Sequence, residues 1–229
     1  MQPGLVLEHA SFRYGTIWVL LETSLHVSPG ETLVVTGDNG VGKSTLLYLL
    51  AGLLPATTGR VLFDGHTPNV SRPSDLVRVG VRRGFVFQHG GLFANLTALD
   101  NVLLALRYHA DVLGLDEQGV AKRGREALHE LRVANTDFHT LPAYLSVGVR
   151  QRVGLARALA IEPNFVFMDD PDQGLDEGTR ELVLELLVRL RDERKMTLVL
   201  TTTDPEVVRR LDVPVLELVQ GRLGRTRQA

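Results

Sequence analysis

The chain has 229 residues, of which 44% are hydrophobic and 23% charged, and its formal net charge is −2. This balance is typical of a folded globular protein, and the weak net charge excludes bulk attraction to nucleic acid, so no nucleic-acid partner is expected. The absence of cysteine excludes disulfides and thiolate chemistry. No apolar run approaches the roughly 20 residues of a transmembrane helix, and Glu8 and His9 stand where an export signal would be apolar. A membrane role is therefore expected only through a partner.

The first third of the chain predicts short strands, turns and one helix. Alternating apolar residues at Leu5, Leu7 and Phe12 and the run Leu33–Val35 are typical of strands, with turn signals at 14–15 and 28–30 between them. The later elements predicted here are a helix from Lys43 to Gly52, a strand at Val61–Phe63 closed by a turn at Asp64–Gly65, a loop with a little helix at 66–80, and a buried strand at Phe85–Phe87.

The rest of the chain alternates helical and strand patterns. The apolar spacing is helical from about Ala98 to Leu159, with breaks near Gly114, Asn135 and Pro142. The later elements predicted are a central strand at Phe165–Met168, an amphipathic helix at 179–193, a strand at Leu198–Leu200 and a last strand at Val215–Val219. Strands alternating with helices predict an α/β fold with a mainly parallel sheet and a helical insertion.

The C-terminal tail carries Arg222, Arg225 and Arg227 and is a candidate basic patch. The favoured interpretation is a solvated, frayed terminus, because the ends of domains are commonly poorly ordered. No further domain is expected after Gly221.

The segment from Gly37 to Ser44 matches the pattern G-x-x-x-x-G-K-[ST] of a phosphate loop. Glycines let backbone N–H groups approach phosphate oxygens, Lys43 supplies positive charge to the β- and γ-phosphates, and the Ser44 hydroxyl is a ligand suited to Mg²⁺. A chance match in a glycine-rich loop is the alternative, but the motif lies between a predicted strand and a predicted helix, as a phosphate site requires. The predicted nucleotide contacts of this segment are Gly37, Asp38, Asn39, Gly40, Val41, Gly42, Lys43, Ser44 and Thr45.

An acidic residue ends the central predicted strand. Asp169 follows the apolar run Phe165–Met168, the place where a Walker B aspartate holds the hydration shell of Mg²⁺. An acidic residue after a strand is weak support by itself. Together with the phosphate loop, it predicts Ser44 and Asp169 as parts of one metal site.

The segment Leu145–Leu159, with the sequence LSVGVRQRVGLARAL, resembles the signature helix of the ABC ATPases, LSGGQ followed by RQRVALARAL. This resemblance extends over essentially the whole chain. It implies a single ABC ATPase domain over residues 1–229 with a P-loop NTPase fold. The core would be RecA-like, with an N-terminal antiparallel β subdomain and an α-helical subdomain inserted at about 98–159.

The same resemblance implies roles for residues outside the phosphate loop. Tyr14 would stack on adenine, although it could also be a simple turn tyrosine. Gln88 would be the Q-loop glutamine that touches the metal, and Asp176 would belong to the D-loop that crosses to the opposite subunit. In a head-to-tail dimer, Ser146 and Gly148 would contact the γ-phosphate bound to the other chain.

The resemblance also implies cofactors, partners and a location. ATP and Mg²⁺ would be bound, and ATP hydrolysis would be coupled to transport. The partners would be a transmembrane permease and a second ATPase subunit, either another copy of this chain or a different ABC ATPase. The protein would be cytoplasmic and peripheral at the inner face of the cell membrane.

Three departures from the family pattern fall on catalytic positions. Asp170 stands where most members have glutamate, so the carboxylate reaches about 1.5 Å less far. Thr203 replaces the switch histidine, and the signature carries Val147 for glycine and Val149 for glutamine. We therefore predict that ATP binding is retained while turnover is slow. The predicted catalytic residues are Lys43, Gln88, Asp170 and Thr203.

The segment after the Q-loop resembles one group of transporters. Residues Gln88–Val102 and the continuation Leu106–His109 are similar to the ATPases that drive Mla/Mce-type lipid transport. This predicts a phospholipid or other hydrophobic cargo. The alternative is that Leu92 and Phe93 merely pack the helical subdomain and carry no information on cargo.

Two further functions compete with an energising transport subunit. A nucleotide-gated regulatory subunit that binds ATP with little turnover is motivated by the three departures. A soluble ABC ATPase of translation or DNA repair is disfavoured, because the chain shows one short cassette without a tandem copy or a long coiled-coil insertion.

Overall fold

A computed structural model describes residues 4–193 and 195–225. Its strands are β1 (Leu5–Tyr14), β2 (Ile17–Val27), β3 (Thr32–Thr36), β4 (Thr58–Phe63), β5 (Arg83–Val86), β6 (Phe165–Asp169), β7 (Thr197–Thr201), β8 (Val215–Val219) and β9 (Arg222–Arg225). Its α-helices are α1 (Lys43–Leu50), α2 (Ser74–Arg78), α3 (Ala98–Leu113), α4 (Glu117–Glu130), α5 (Val147–Leu159), α6 (Glu177–Glu193) and α7 (Pro205–Leu211).

The larger sheet has the strand order β5-β6-β7-β3-β8-β9, parallel except for the antiparallel edge strand β9. The strands β6 and β7 are buried along their whole length, because helices and the second sheet cover both faces. Continuous apolar runs are what such doubly covered parallel strands require. Parallel strands end at one edge, so β3, β6 and β7 deliver the loops that follow them to the same place.

The smaller sheet is antiparallel, in the order β2-β1-β4. Its central strand pairs Leu5 with Val27 of β2 and with Phe63 of β4. The sequence pattern predicts β1 and β4 but no strand at β2. Bulges interrupt the β1–β2 register, so the burial of β2 does not alternate regularly and period-two patterning is weak there.

The core has two parts, one on each face of the larger sheet. In β6, Val166 and Met168 face the part that contains the helices α3 to α6, while Phe165 and Phe167 face the part that contains α1 and the smaller sheet. Adjacent residues of a strand point to opposite faces, so a single strand supports both parts.

The helices α3, α4 and α5 lie within the predicted helical insertion. Thr97 caps α3 by accepting a hydrogen bond from the Asp100 N–H (3.1 Å), and Gly114 ends that helix in the left-handed conformation. Short 3₁₀ turns at Asn135–Asp137 and Pro142–Tyr144 separate α4 from α5. These interruptions coincide with the three predicted breaks.

The C-terminal part corrects two expectations. The helix α7 was not predicted, and Val215–Val219 is not the last strand, because β9 pairs with it through a turn at Gln220 and Gly221. Both turn residues have positive φ (47° and 76°), as a tight two-residue hairpin requires. The tail is therefore paired rather than frayed as far as Arg225, and Arg227 lies outside the described residues.

Within residues 4–193 and 195–225, no helix is long and apolar enough to cross a bilayer. That same part of the chain holds no group of three or more acidic or histidine side chains placed to bind a metal ion by themselves.

Candidate nucleotide-binding site

The phosphate loop connects the end of β3 to the start of α1 and needs glycine at both of its ends. Gly37 has φ 144°, and a Cβ there would lie 2.6 Å from the Leu218 carbonyl oxygen. Gly42 has φ 109° and caps α1, and a Cβ there would lie 2.6 Å from Val19 Cγ1. The loop therefore keeps its shape only with residues that lack a side chain at these positions.

Lys43 spans the loop from the first residue of α1. Its side chain is buried (5% exposed), and Nζ donates to the carbonyl oxygens of Gly37 (2.9 Å) and Asp38 (3.1 Å). Among the residues that the structure describes, no side chain caps α1, and the N-terminus of a helix is suited to bind an anion. Asp38, Asn39 and Gly40 are exposed at the tip. The loop fits a polyphosphate in both charge and shape.

The remaining loop residues, Val41 and Thr45, support the fold of the loop. Val41 donates its N–H to the Asp38 carbonyl oxygen (3.4 Å), which closes the tip of the loop. Thr45 is buried in the first turn of α1.

Ser44 and Asp169 meet although they lie far apart in the sequence. Asp169 ends β6, is 2% exposed, and accepts a hydrogen bond on Oδ1 from Ser44 Oγ (3.0 Å). A hydroxyl and a carboxylate oxygen beside a phosphate loop are the donor set that Mg²⁺ takes in nucleotide sites. The residues present therefore fit a Mg²⁺ ion bound together with a nucleotide.

Two other hydroxyls reach the same carboxylate, and neither is predicted from the sequence. Thr201 Oγ1 donates to Asp169 Oδ1 (2.8 Å) and Tyr48 OH to Oδ2 (3.4 Å). Burial, followed by the negative charge of Asp169 and its hydrogen bond, raises the pKa of Tyr48, which keeps the phenol a donor. The position of Tyr48 one helical turn after Ser44 was a signal in the sequence, whereas nothing in the sequence marked Thr201.

Asp170 lies at a strained position directly after the metal-site carboxylate. Its φ is 42°, and its N–H donates to Thr201 Oγ1 (3.1 Å). Burial is the main cause that raises the pKa of the Asp170 carboxyl, and the charge of Asp169 adds to it. The charge of Lys43 and a hydrogen bond from the Thr203 backbone act in the opposite direction. A carboxylate with a raised pKa is suited to accept a proton.

Thr203 contributes its backbone rather than its side chain to this contact. The residue is exposed at the end of the segment after β7. The structure therefore brings the predicted switch position next to Asp170 while leaving the role of its hydroxyl a prediction.

Gln88 contacts another glutamine rather than the residues of the proposed metal site. It is exposed, begins a 3₁₀ turn directly after β5, and hydrogen-bonds through Nε2 to the Gln173 side chain. In the described part of the chain, no hydrogen bond joins Gln88 to Ser44 or Asp169. The metal contact of Gln88 stays a prediction.

The signature residues form a separate group at the start of α5. Ser146 caps that helix by accepting from the Val149 N–H (3.2 Å). Gly148 lies against the start of α6, where a Cβ would be 2.6 Å from Thr179 Oγ1 and 3.0 Å from Asp176 Oδ2. No hydrogen bond among the described residues connects this group to the phosphate loop, so its contact with nucleotide remains a prediction that needs a second subunit.

Tyr14 ends β1 and is half-exposed (51%), with its ring edge-on to Phe12 at 4.8 Å. It pairs with Ile17 across the β1–β2 hairpin, and Val19 of the same hairpin contacts the phosphate loop at Gly42. This hairpin therefore adjoins the loop and presents an accessible aromatic ring. Stacking of Tyr14 on adenine stays a prediction.

A mainly parallel sheet, a phosphate loop between β3 and α1, and a carboxylate at the end of β6 beside that loop define the P-loop nucleoside triphosphatases. The family model described as ABC transporter matches residues 20–173. The chain belongs to the ABC transporter family.

Two curated relatives and two solved structures illustrate this membership. The sulfate/thiosulfate import ATP-binding protein CysA of Bordetella pertussis is 37% identical over 218 residues, which are 93% of this chain and 58% of the relative. The protein of the same name from Cucumis sativus is 35% identical over 223 residues, 96% of this chain and 61% of the relative. The chain thus spans about 60% of the length of these relatives.

Among solved structures, the dimeric post-hydrolysis state of the ATP-binding cassette MJ0796 bound to ADP and Pi has a TM-score of 0.86 at 31% identity, with 98% of both chains covered. The structure of cbiO1 from Clostridium perfringens has a TM-score of 0.77 at 28% identity, covering 98% of this chain and 88% of that one. The predicted fold class and the resemblance to ABC ATPases are confirmed. The narrower resemblance to Mla/Mce-type lipid transport is not supported, since these curated relatives are named for sulfate and thiosulfate import.

Proposed function

We propose that this chain binds ATP with Mg²⁺ and hydrolyses it as the energy-supplying subunit of an ABC transporter. The observation that carries the proposal is the hydrogen bond between Ser44 and Asp169 beside the loop spanned by Lys43. It places the hydroxyl, the carboxylate and the cation of a phosphate site together.

Each residue has a definable task in hydrolysis. Lys43 exchanges its bonds to the loop carbonyls for phosphate oxygens, and Ser44 with Asp169 holds the Mg²⁺. When bound, Mg²⁺ neutralises charge on the phosphates. Asp170 accepts a proton from the attacking water, and its backbone is fixed by Thr201.

The same proposal includes a head-to-tail dimer and a permease at the inner face of the membrane. The separation of the signature group from the phosphate loop supports the dimer, as does the dimeric cassette among the similar structures. An exposed apolar stripe on α3, made of Leu104, Tyr108 and Val112 with Phe93 nearby, supports docking of a membrane subunit.

We infer further that turnover is slow, because Asp170 is short and Val147, Val149 and Thr203 replace typical family residues. The nucleotide-gated regulatory subunit is the second candidate, and these same substitutions favour it.

The test compares ATP affinity with the steady-state ATPase rate in the wild type, Asp170→Glu and Asp169→Asn. Tight ATP binding by the wild type, with an ATPase rate that rises in Asp170→Glu, supports slow hydrolysis. A wild-type ATPase rate no higher than that of Asp169→Asn supports the regulatory subunit. Brisk wild-type hydrolysis with no gain in Asp170→Glu contradicts the inference of slow turnover.

For the cargo, we propose an oxyanion such as sulfate or thiosulfate, on the basis of the curated relatives. A phospholipid is the second candidate and rests on the pattern at Gln88–Val102. Purification of the chain with its membrane partner from native membranes, followed by partner sequencing and lipid analysis, separates the two. Stoichiometric phospholipid bound to the permease would reject the oxyanion, whereas nucleotide-dependent sulfate uptake by the reconstituted complex would support it.

A further inference from the structure

Three hydroxyl groups from two elements, α1 and β7, approach the two carboxylate oxygens of Asp169. Ser44 from α1 and Thr201 from β7 both donate to Oδ1, at 3.0 and 2.8 Å. Tyr48 donates to Oδ2 at 3.4 Å. Ser44 is itself a proposed metal ligand, and the Thr201 hydroxyl also holds the Asp170 backbone. Neither Thr201 nor Tyr48 has a role toward the metal in the proposed function.

Thr201 is fixed by its own surroundings. It is fully buried, and its position in β7 is the register partner of Asp169 in β6. Its Oγ1 also accepts from the Asp170 N–H (3.1 Å), so the hydroxyl hydrogen is directed to the carboxylate. One hydroxyl therefore connects the metal-site carboxylate with the strained backbone of the next residue.

Tyr48 donates to the other carboxylate oxygen, Oδ2, and is fixed by ring contacts. Its ring centroid lies 5.4 Å from that of Phe85 and 6.1 Å from that of Phe87. These contacts hold the phenol in place without help from a nucleotide. The Tyr48 hydrogen bond is longer than that of Thr201 and is expected to contribute less.

A carboxylate with a donor on each oxygen has little freedom to rotate. Partners of this kind orient metal ligands, and removing one typically costs 10–100-fold in metal affinity or activity. We propose that Thr201 and Tyr48 are positioning residues that hold the Asp169 carboxylate in its metal-binding orientation and thereby set the affinity for Mg²⁺. This inference rests on the proposed function, since it assigns the Mg²⁺ to that site.

The test measures binding rather than turnover. The dissociation constant of the non-hydrolysable fluorescent analogue mant-AMPPNP is determined with excess Mg²⁺ and with EDTA, and the ratio gives the Mg²⁺ contribution. The variants are Thr201→Val, Thr201→Ser and Tyr48→Phe, which remove or retain a hydroxyl with little change of shape. Thr197→Val is the matched control, because Thr197 is a buried threonine of the same strand whose hydroxyl lies at the other end, near Ser28 and Gly30.

We expect Thr201→Val to reduce the Mg²⁺ contribution by about tenfold and Tyr48→Phe by about threefold, given its longer bond. Affinity in EDTA should stay within twofold of the wild type, and Thr201→Ser and Thr197→Val should retain the Mg²⁺ contribution. Thermal unfolding confirms that each variant is folded.

Asp169→Asn separates failure of this inference from failure of the proposed function. If Asp169→Asn loses the Mg²⁺ contribution while Thr201→Val and Tyr48→Phe keep it, the metal site stands and the positioning role is wrong. If Asp169→Asn also keeps it, the metal site itself is wrong and the inference falls with it.

Discussion

At the scale of single residues, Asp170 has a strained backbone with a positive φ and is the proposed proton acceptor in hydrolysis. We predict that Asp170→Asn lowers kcat by about 10²–10⁴-fold, because the group that accepts the proton is lost. The wild-type rate should also fall on the acid side at a pH above the ordinary range of aspartate, since burial raises the pKa of this carboxyl. A pH–rate profile checks both, and a profile flat well into the acid range would contradict the role of Asp170.

The same substitution should stabilise the fold at neutral pH. Because the pKa of Asp170 is raised in the folded state, its ionised form lowers the free energy of unfolding at neutral pH. This destabilisation disappears as the pH falls through the folded-state pKa and the carboxyl becomes protonated. Asparagine carries no charge and tolerates the positive φ of 42° better. Thermal unfolding should show Asp170→Asn above the wild type at pH 7, with the difference shrinking toward acid. If the difference in thermal stability between Asp170→Asn and the wild type did not change with pH, burial of the Asp170 charge would not be its cause.

Gly37 and Gly40 allow a test of why the phosphate loop needs glycine. We predict that Gly37→Ala lowers the free energy of unfolding by about 1–3 kcal/mol, because φ is 144° and the added Cβ would meet a backbone carbonyl oxygen. Gly40→Ala should cost less, since its φ of 78° is strained but nothing lies within 4 Å. Urea unfolding of both variants measures the difference, and equal losses would contradict the role of the close approach.

For single residues, the sequence predicts a role in the site only where the residue belongs to a local motif. The loop Gly37–Ser44 was found because its chemistry requires a fixed local spacing. Thr201 and Tyr48 were missed because their roles depend on the pairing of β7 with β6 and on the packing of α1 against β5. A hydroxyl in a buried strand has no pattern that distinguishes it from an ordinary threonine.

At the scale of elements, α5 packs closely on the turn that follows β5. A Cβ on Gly154 would lie 2.7 Å from the Gly90 carbonyl oxygen, and Arg157 donates to the carbonyl oxygens of Gly90 and Gly91 at 3.0 Å each. The signature helix and the Q-loop turn are therefore in tight contact. This contact connects the segment expected to face the permease with the helix expected to face the second nucleotide.

We predict that Gly154→Ala lowers the free energy of unfolding by about 1–3 kcal/mol through overpacking, despite the better helix propensity of alanine. Gly178→Ala in α6 is the matched control, because its nearest contact would be an ordinary 3.5 Å. That control should be neutral or more stable than the wild type. Chemical unfolding decides, and a stabilised Gly154→Ala would show that α5 and the turn are not in tight contact.

Element prediction succeeded where the pattern was long and failed where it was short. The periodicity of 98–159 located α3, α4 and α5 with their breaks, because each helix buries a continuous apolar stripe. The strands β2 and β9 and the helix α7 were not predicted. They are short, bulged or at a sheet edge, so pairing with neighbours decides their structure more than their own residues do.

At the scale of the whole molecule, family and fold followed from the sequence, whereas cargo did not. The phosphate loop and the signature helix carry the family resemblance, and both concern ATP rather than cargo. The segment Gln88–Val102 is the part expected to face the partner, and its pattern is short. A cargo prediction from these residues alone therefore had little physical basis.

The head-to-tail arrangement makes a quantitative prediction about mixed dimers. Lys43→Ala removes the phosphate cation, and Ser146→Asp places a negative charge at the signature while keeping a good cap for α5. Each variant alone should be inactive. An equal mixture should recover about a quarter of the wild-type ATPase rate, since half of the dimers are mixed and each of these has one intact site. No recovery, under conditions where light scattering shows mixed dimers with ATP, would place Lys43 and Ser146 on the same side of the site and contradict the arrangement.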